Sequence, residues 1–247
     1  KLGNTAAIRE AMLSDHLDIG FMGIPPFLIG VDQGMGWRIM SGLTISPLGL
    51  MTNNPTITTL EGLAGAGKIA LPQPGSIQHI LLSMAAEKRF GDPKYFDNQL
   101  ISMKHPEGYQ TLMTSEEVVA HFTSPPYIFQ EQDEKTLVQL LSGKEAFVGE
   151  FSFIVGVCRA EFREDELAYN AFQEALLASI NYMENNQRAT IEILSAYYEL
   201  SEEMTHDYVY TRGITYDMNV HGLNKFMSFM DEADYIKSSY KEEGLIW

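Results

Sequence analysis

Short apolar runs alternate with amphipathic helical stretches from the amino end to about Val157, and after Arg159 only helical periodicity remains. Alternation of this kind is the mark of an α/β chain. Strand candidates cover residues 18–22, 37–42, 47–51, 68–71, 100–103, 117–123 and 146–157; they are rich in Ile, Val, Leu and Phe, and several are bounded by Gly or Pro. Helix candidates cover 4–13, where Asn4 or Thr5 can cap, then 59–63, 76–89, 134–141, 165–184, 188–200 and 220–236. In the helix from 165, Ala168, Phe172, Ala175, Ser179, Ile180 and Met183 share a face; in the last, Val220, Leu223, Met227 and Met230 do so. An early sheet completed by a strand that returns late, with helices then packing on its faces, accounts for the asymmetry.

Charge and cysteine content narrow the function. The 33 Asp and Glu outnumber 17 Lys and Arg, for a formal charge of −16. A surface so acidic repels nucleic acid and anionic membrane alike. The single Cys158 excludes an internal disulfide framework and a Cys-rich zinc site, and its apolar strand context makes it a small buried hydrophobe. The longest charge-free stretch, 39–60, carries Thr, Asn, Gly, Ser, Pro47 and Pro55, so it does not read as a membrane span. The first residue is Lys1 rather than Met, so the chain is expected to be processed or trimmed, and the lack of a visible signal segment decides nothing.

Gly and Pro cluster at strand ends, in Gly23-Ile24-Pro25-Pro26, Pro72-Gln73-Pro74-Gly75 and Ser124-Pro125-Pro126. Ligands of open α/β sheets bind outside the carboxyl ends of strands, so these three loops are expected to wall one site. In the second, Ser76 stands where a helix begins, and the N–H groups of a first helical turn lack intrahelical partners and attract anions. The alternative is that Ser76 only caps its own helix. Gly62-Leu63-Ala64-Gly65-Ala66-Gly67-Lys68 matches seven positions of a phosphate-binding loop, but Ile69 replaces the hydroxyl residue and a helix-to-strand context replaces strand-to-helix. It reads as a turn.

The six histidines show no metal-ligand spacing. His79, one turn into the candidate site helix, draws attention, with a solvent-facing or capping role as its plainer reading. The adjacent acid pairs Glu116-Glu117, Glu202-Glu203 and Glu242-Glu243 read as solvated faces. No catalytic group, metal or cofactor is expected.

The order of segments resembles the solute-binding proteins of ABC importers, nearest to the nitrate/sulfonate/taurine type with its pyrimidine-binding relatives. Residues 4–23, NTAAIREAMLSDHLDIGFMG, are similar to that group's helix and its (I/V)D(I/F)G strand, which leads to a Gly-x-Pro loop, here Gly23-Ile24-Pro25. Residues 58–65 resemble its T-x-x-D-L-x-G-K connector, 72–79 its ligand loop and helix start, 118–127 its strand and x-P-Y loop, and 151–162 its returning crossover strand.

The resemblance spans about residues 4–236 and implies a two-lobed periplasmic-binding-protein fold of type II with two crossover strands. Lobe I would hold 1–45 and 155–247, lobe II 46–154, with the family's opening strand–helix–strand expected to be missing from lobe I. It implies a ligand site built from Gly23, Ile24, Pro25, Pro74, Gly75, Ser76, Ile77, Gln78, Thr123, Ser124, Tyr127 and Phe151. Function would be capture of a small organic anion or pyrimidine-like heterocycle by lobe closure, without an arginine clamp, and delivery to membrane permease subunits. The protein would be an extracytoplasmic, periplasmic or lipid-anchored monomer. The loop at 123–126 lacks the acidic or Trp residue common in the family, which leaves the ligand open. An enzyme of pyrimidine or menaquinone-precursor synthesis on the same scaffold, or a sensor without transport, are the alternatives.

Overall fold

The computed structural model describes residues 5–247, so Asn4, a candidate cap, lies outside the described residues. From the amino end the chain forms α1 (Thr5–Leu13), β1 (Ile19–Met22), α2 (Ile24–Asp32), β2 (Trp37–Ile45), β3 (Gly49–Thr52), α3 (Leu60–Leu63), β4 (Lys68–Leu71) and α4 (Ile77–Phe90). There follow β5 (Leu100–Ser102), α5 (His105–Thr114), β6 (Val118–Thr123), α6 (Tyr127–Asp133), β7 (Val138–Ser142), α7 (Gly143–Phe147) and β8 (Ile154–Arg159). The remainder is α8 (Ala160–Glu164), α9 (Glu166–Asn185), α10 (Gln187–Tyr198), α11 (Glu202–His206), a short β9 (Thr215–Tyr216) and α12 (Leu223–Glu232). Among the described residues no helix is long and apolar enough to cross a membrane.

Two compact units result. The first comprises residues 5–45, Ser152–Met227 and Ile236–Trp247. Its sheet runs β1-β8-β2-β9, every pair antiparallel. The late strand β8 is therefore the centre of the sheet, as the change to helices after Arg159 led us to expect, and Val155, Val157 and Cys158 are fully buried. Gly156 is the one position of β8 with no room for a side chain, because a Cβ there would lie 2.8 Å from Ser41 Oγ. The carboxyl end is pinned to this sheet: Ile39 N–H donates to Leu245 O, and Trp247 N–H donates to Ile39 O.

The second unit comprises Ser46–Phe151 and Ser228–Tyr235. Its sheet runs β5-β4-β6-β3-β7. Strand β4 is parallel to β5 and to β6, whereas β3 is antiparallel to β6 and β7. The carboxyl ends of β4, β5 and β6 thus share one edge. The start of β3 and the end of β7 lie at that same edge, because Gly49 pairs with Thr123 on one side and Ser142 on the other.

Helix α4 is buried on all sides from Ile77 to Ala86. Ile80, Leu81 and Leu82 are at most 1% exposed, each contributing roughly 1.5–3 kcal/mol over an exposed position. The helix stops at Gly91, whose φ of 70° is the left-handed conformation that a glycine adopts without a Cβ penalty.

Two expectations are corrected. Residues 134–141 are not helical; they contribute to edge strand β7, whose backbone pairs with β3. The Leu137, Leu140, Leu141 spacing imitates a helix, but β3 would otherwise leave backbone donors and acceptors unpaired. Residues 146–157 are not one strand either. A capping box, in which Ser142 Oγ accepts from Glu145 N–H and Glu145 accepts from Ser142 N–H, starts α7, and β8 begins only at Ile154. The sequence pattern predicts none of α2, α5, α6, α8, α11 and β9.

Candidate ligand site at the carboxyl edge of the second sheet

Four chain segments meet at the shared carboxyl edge of the second unit: the start of α4 after β4, the start of α5 after β5, the β6–α6 turn, and the α7 region. Ser76 caps α4, its Oγ accepting from His79 N–H at 3.3 Å. Ile80 N–H donates to Ser76 O, which leaves Ile77 and Gln78 as the two first-turn N–H groups without an intrahelical acceptor. Gly75, at φ 78°, donates its N–H to His79 Nδ1 at 3.0 Å. His79 Nε2 in turn faces Asp97 Oδ1 at 3.2 Å. With Nδ1 accepting, Nε2 carries the proton, and burial holds this imidazole below its ordinary pKa. His79 is thus a buried latch on the Pro74-Gly75 turn, and the solvent-facing reading is corrected.

The polar centre of the edge is His105, in the first turn of α5. Its Nε2 lies 3.0 Å from Ser124 Oγ and 3.2 Å from Gln78 Nε2. Its Nδ1 lies 3.2 Å from His121 Nε2, and His121 Nδ1 lies 2.6 Å from Glu131 Oε1. One continuous relay therefore runs from the strand-end serine and glutamine, through two imidazoles, to a carboxyl group. His121 and Glu131 are both 0% exposed. Burial pushes the Glu131 carboxyl up to about 8, with the neighbouring Thr123 hydroxyl opposing the shift. Burial pushes His121 down to about 3, and burial followed by the neighbouring His121 does the same to His105.

Glu131 and His121 are close enough for an ion pair, but burial favours an uncharged carboxylic acid beside an uncharged imidazole. Glu131 Oε2 and Thr123 Oγ1 are buried neighbours that do not form a well-aligned hydrogen bond, and a carboxylate in such surroundings is costly. The ring of His121 fits because residue 108 is glycine: a Cβ there would stand 2.6 Å from its Nε2. The relay is linear, and among the described residues no three His, Cys, Asp or Glu converge as metal ligands.

Of the residues read from the sequence, Pro74, Gly75, Ser76, Ile77, Gln78, Thr123, Ser124 and Tyr127 gather at this edge. Tyr127 stacks on His105 with centroids 6.1 Å apart. Phe151 packs on Phe147 at 4.9 Å and against Gly143 beside Leu48, at the β3 start. Gly23, Ile24 and Pro25 belong to the first unit, where they are not a loop. Gly23 is the N-cap of α2, and Ile24, Pro25 and Pro26 form its buried first turn. Proline suits that position, but two prolines remove two of the N–H groups that the segment was expected to offer.

Sequence reasoning missed His105, His121 and Glu131, together with Lys104, the exposed N-cap residue of α5. The one local signal was Lys104-His105-Pro106 directly after a strand, with proline in the first helical turn. An open depression of about 540 Å³ lies at the opposite edge, bordered by Asn53, Leu112, Glu116 and Thr136. Its central amide is already committed, since Asn53 Nδ2 donates to the Leu112, Ser115 and Val118 carbonyls.

No family model matches the chain, and no curated protein sequence is similar to it. Solved structures are similar along nearly the whole chain. The periplasmic aliphatic sulphonate binding protein SsuA of Escherichia coli is 18% identical, with a TM-score of 0.73 over 97% of this chain and 78% of that one. The alkanesulfonate-binding protein SsuA of Xanthomonas axonopodis pv. citri, bound to MOPS, is 14% identical, with a TM-score of 0.78 over 98% and 84%. The ligand-binding component of an ABC-type import system from Staphylococcus aureus, with zinc bound, is 14% identical, with a TM-score of 0.77 over 100% and 84%. The chain has the two-lobed α/β fold of the periplasmic binding proteins. That agrees with the resemblance read from its sequence.

Proposed function

We propose that this chain is the extracytoplasmic solute-binding component of an ABC importer, and that the carboxyl edge of its second sheet holds the solute. The observation that carries the reading is the convergence of Gln78, His105 and Ser124 beside two N–H groups of α4 without intrahelical acceptors. Such an edge suits a small organic anion of the sulfonate, nitrate or taurine kind, or a pyrimidine-like heterocycle. The net charge of −16 repels an anion at long range, so recognition has to be local. Micromolar affinity corresponds to about 8 kcal/mol. Several hydrogen bonds of about 1 kcal/mol, more where the acceptor is charged, together with the helix terminus and Tyr127 contact, are of that order.

The two compact units are proposed as lobes that close on the solute, and the protein as a monomer that docks on permease subunits. A thermal-shift screen with alkanesulfonates, nitrate, taurine and aminopyrimidines, followed by calorimetric titration, tests the reading. Stabilisation by an anion or heterocycle at micromolar concentration supports it. Stabilisation by a cationic solute alone contradicts it.

A further inference from the structure

We propose that Glu131 sets the hydrogen-bonding polarity of the ligand site through the His121–His105 relay, so that a donor-free oxyanion such as a sulfonate binds together with one proton. The inference rests on the reading that this edge is the ligand site.

The relay has two self-consistent states, because a neutral imidazole donates from one nitrogen and accepts at the other. When Glu131 is a bare carboxylate, His121 Nδ1–H donates to it, His121 Nε2 accepts from His105 Nδ1–H, and His105 Nε2 is left as an acceptor. That nitrogen then draws in the Ser124 hydroxyl proton or the Gln78 amide N–H. When one more proton is present, every link reverses: His121 Nε2–H donates to His105 Nδ1, and His105 Nε2–H points outward as a donor. Ser124 Oγ then accepts from the ring and its own proton is free for a ligand oxygen, while the Gln78 amide, whose Nε2 faces the ring in this structure, turns its Oε1 to it instead. The outcome is the same whether the extra proton sits on Glu131 Oε1 or on His121 Nδ1, since those atoms share it across 2.6 Å. An oxyanion that only accepts fits the protonated state; the other state presents acceptors to it and adds a buried negative charge.

The other titratable groups on the packed elements are engaged elsewhere or exposed. Helix α4 brings His79, whose Nδ1 accepts from Gly75 N–H and whose Nε2 faces Asp97. Strand β3 carries no titratable residue, and β6 carries only His121. Helix α5 carries His105, Glu107 and Tyr109, of which Tyr109 donates to Glu134. Helix α6 itself adds Tyr127, stacked on His105, and Asp133, which is exposed. Lys104, at the α5 N-cap, is exposed. The fully buried, half-partnered Glu131 is the group placed to reverse the relay.

Two measurements test the proposal. The first needs no ligand: ¹⁵N shifts of the imidazoles in the full chain report which nitrogen of His105 and His121 is protonated. Both rings are expected to exchange tautomers together, with one midpoint near pH 8, and Glu131→Gln, whose amide can only donate to His121 Nδ1 or only accept from it, is expected to abolish the exchange. Fixed tautomers from pH 6 to 10 in the unaltered chain overturn the relay.

The second is calorimetric titration with ethanesulfonate at pH 7 and pH 9 in buffers of different ionisation enthalpy. Binding restricted to the protonated fraction is expected to be about tenfold weaker at pH 9, with close to one proton taken up there, and with no such pH dependence in Glu131→Gln. Equal affinity and no proton uptake overturn the coupling while leaving the site reading intact. No ethanesulfonate binding at either pH, with the tautomer exchange present, overturns the oxyanion assignment and the coupling with it.

Discussion

Replacing Glu131 by Gln changes how stability depends on pH, and the sign follows from the relay. The Glu131 carboxyl sits near 8 in the folded chain, against 4.5 as its ordinary value. Between those values the folded state holds a proton that the unfolded state has released, so stability falls as pH rises from about 4.5 to about 8. The histidines act in the opposite sense. His105 and His121 sit near 3 when folded, against 6.5 ordinarily. The unfolded chain binds their protons first, so stability rises with pH up to about 6.5 and is lost as pH falls below that value. Together these groups give a maximum near pH 6.5. At about 1.4 kcal/mol per pH unit, the Glu131 contribution has an upper bound of about 5 kcal/mol, and relaxation around the carboxylate reduces it to a few. Urea unfolding of the unaltered chain and Glu131→Gln at half-unit steps from pH 5 to 9 reads the effect. The alkaline decline is expected to flatten in the variant, while the acid limb, owed to the histidines, persists. Parallel curves for the two proteins between pH 6.5 and 9 would refute the reasoning.

Three further outcomes follow from particular contacts. Ser76→Ala removes the acceptor of His79 N–H and is expected to destabilise the ligand-free chain by about 1 kcal/mol; a change in ligand affinity beyond that, read by titration, would show that the hydroxyl also touches the ligand. Gly108→Ala drives a Cβ to 2.6 Å from His121 Nε2, so a loss of about 1–3 kcal/mol and a disturbed His105–His121 tautomer pattern are expected; unaltered imidazole resonances would contradict the packing described. Cys158 is fully buried and its thiol is pushed up to about 11 by that burial, so an aromatic disulfide reagent is expected to label it only as fast as the chain opens, and rapid native-state labelling would be inconsistent with its place in β8.

Local chemistry made much of the fold legible. Strand β4 was read to the residue because Ile69, Ala70 and Leu71 form a short apolar run between a glycine turn and a proline. The same turn has the helix-to-strand context read from the sequence: Thr59 caps α3, Gly65 has φ 72°, and the chain passes directly into β4. The start of α4 was legible from Ser76, a good N-cap before an apolar run. The relay was not legible. His105, His121 and Glu131 are 16 and then 10 residues apart in the chain and come together only because β5 and β6 flank β4 in parallel. No local period encodes that pairing. The Pro25-Pro26 pair misled for the opposite reason, since proline marks loops and first helical turns alike.

Amide chemical-shift mapping tests most directly whether the carboxyl edge of the second sheet is the ligand site. Titrating the ¹⁵N-labelled chain with the solute that the screen selects is predicted to shift the amides of Ile77, Gln78, His105 and Ser124 in saturable fashion. It should leave Asn53, Leu112 and Thr136, at the opposite edge, unmoved. Saturable shifts at Asn53, Leu112 and Thr136 with Ile77, Gln78, His105 and Ser124 unchanged would contradict it.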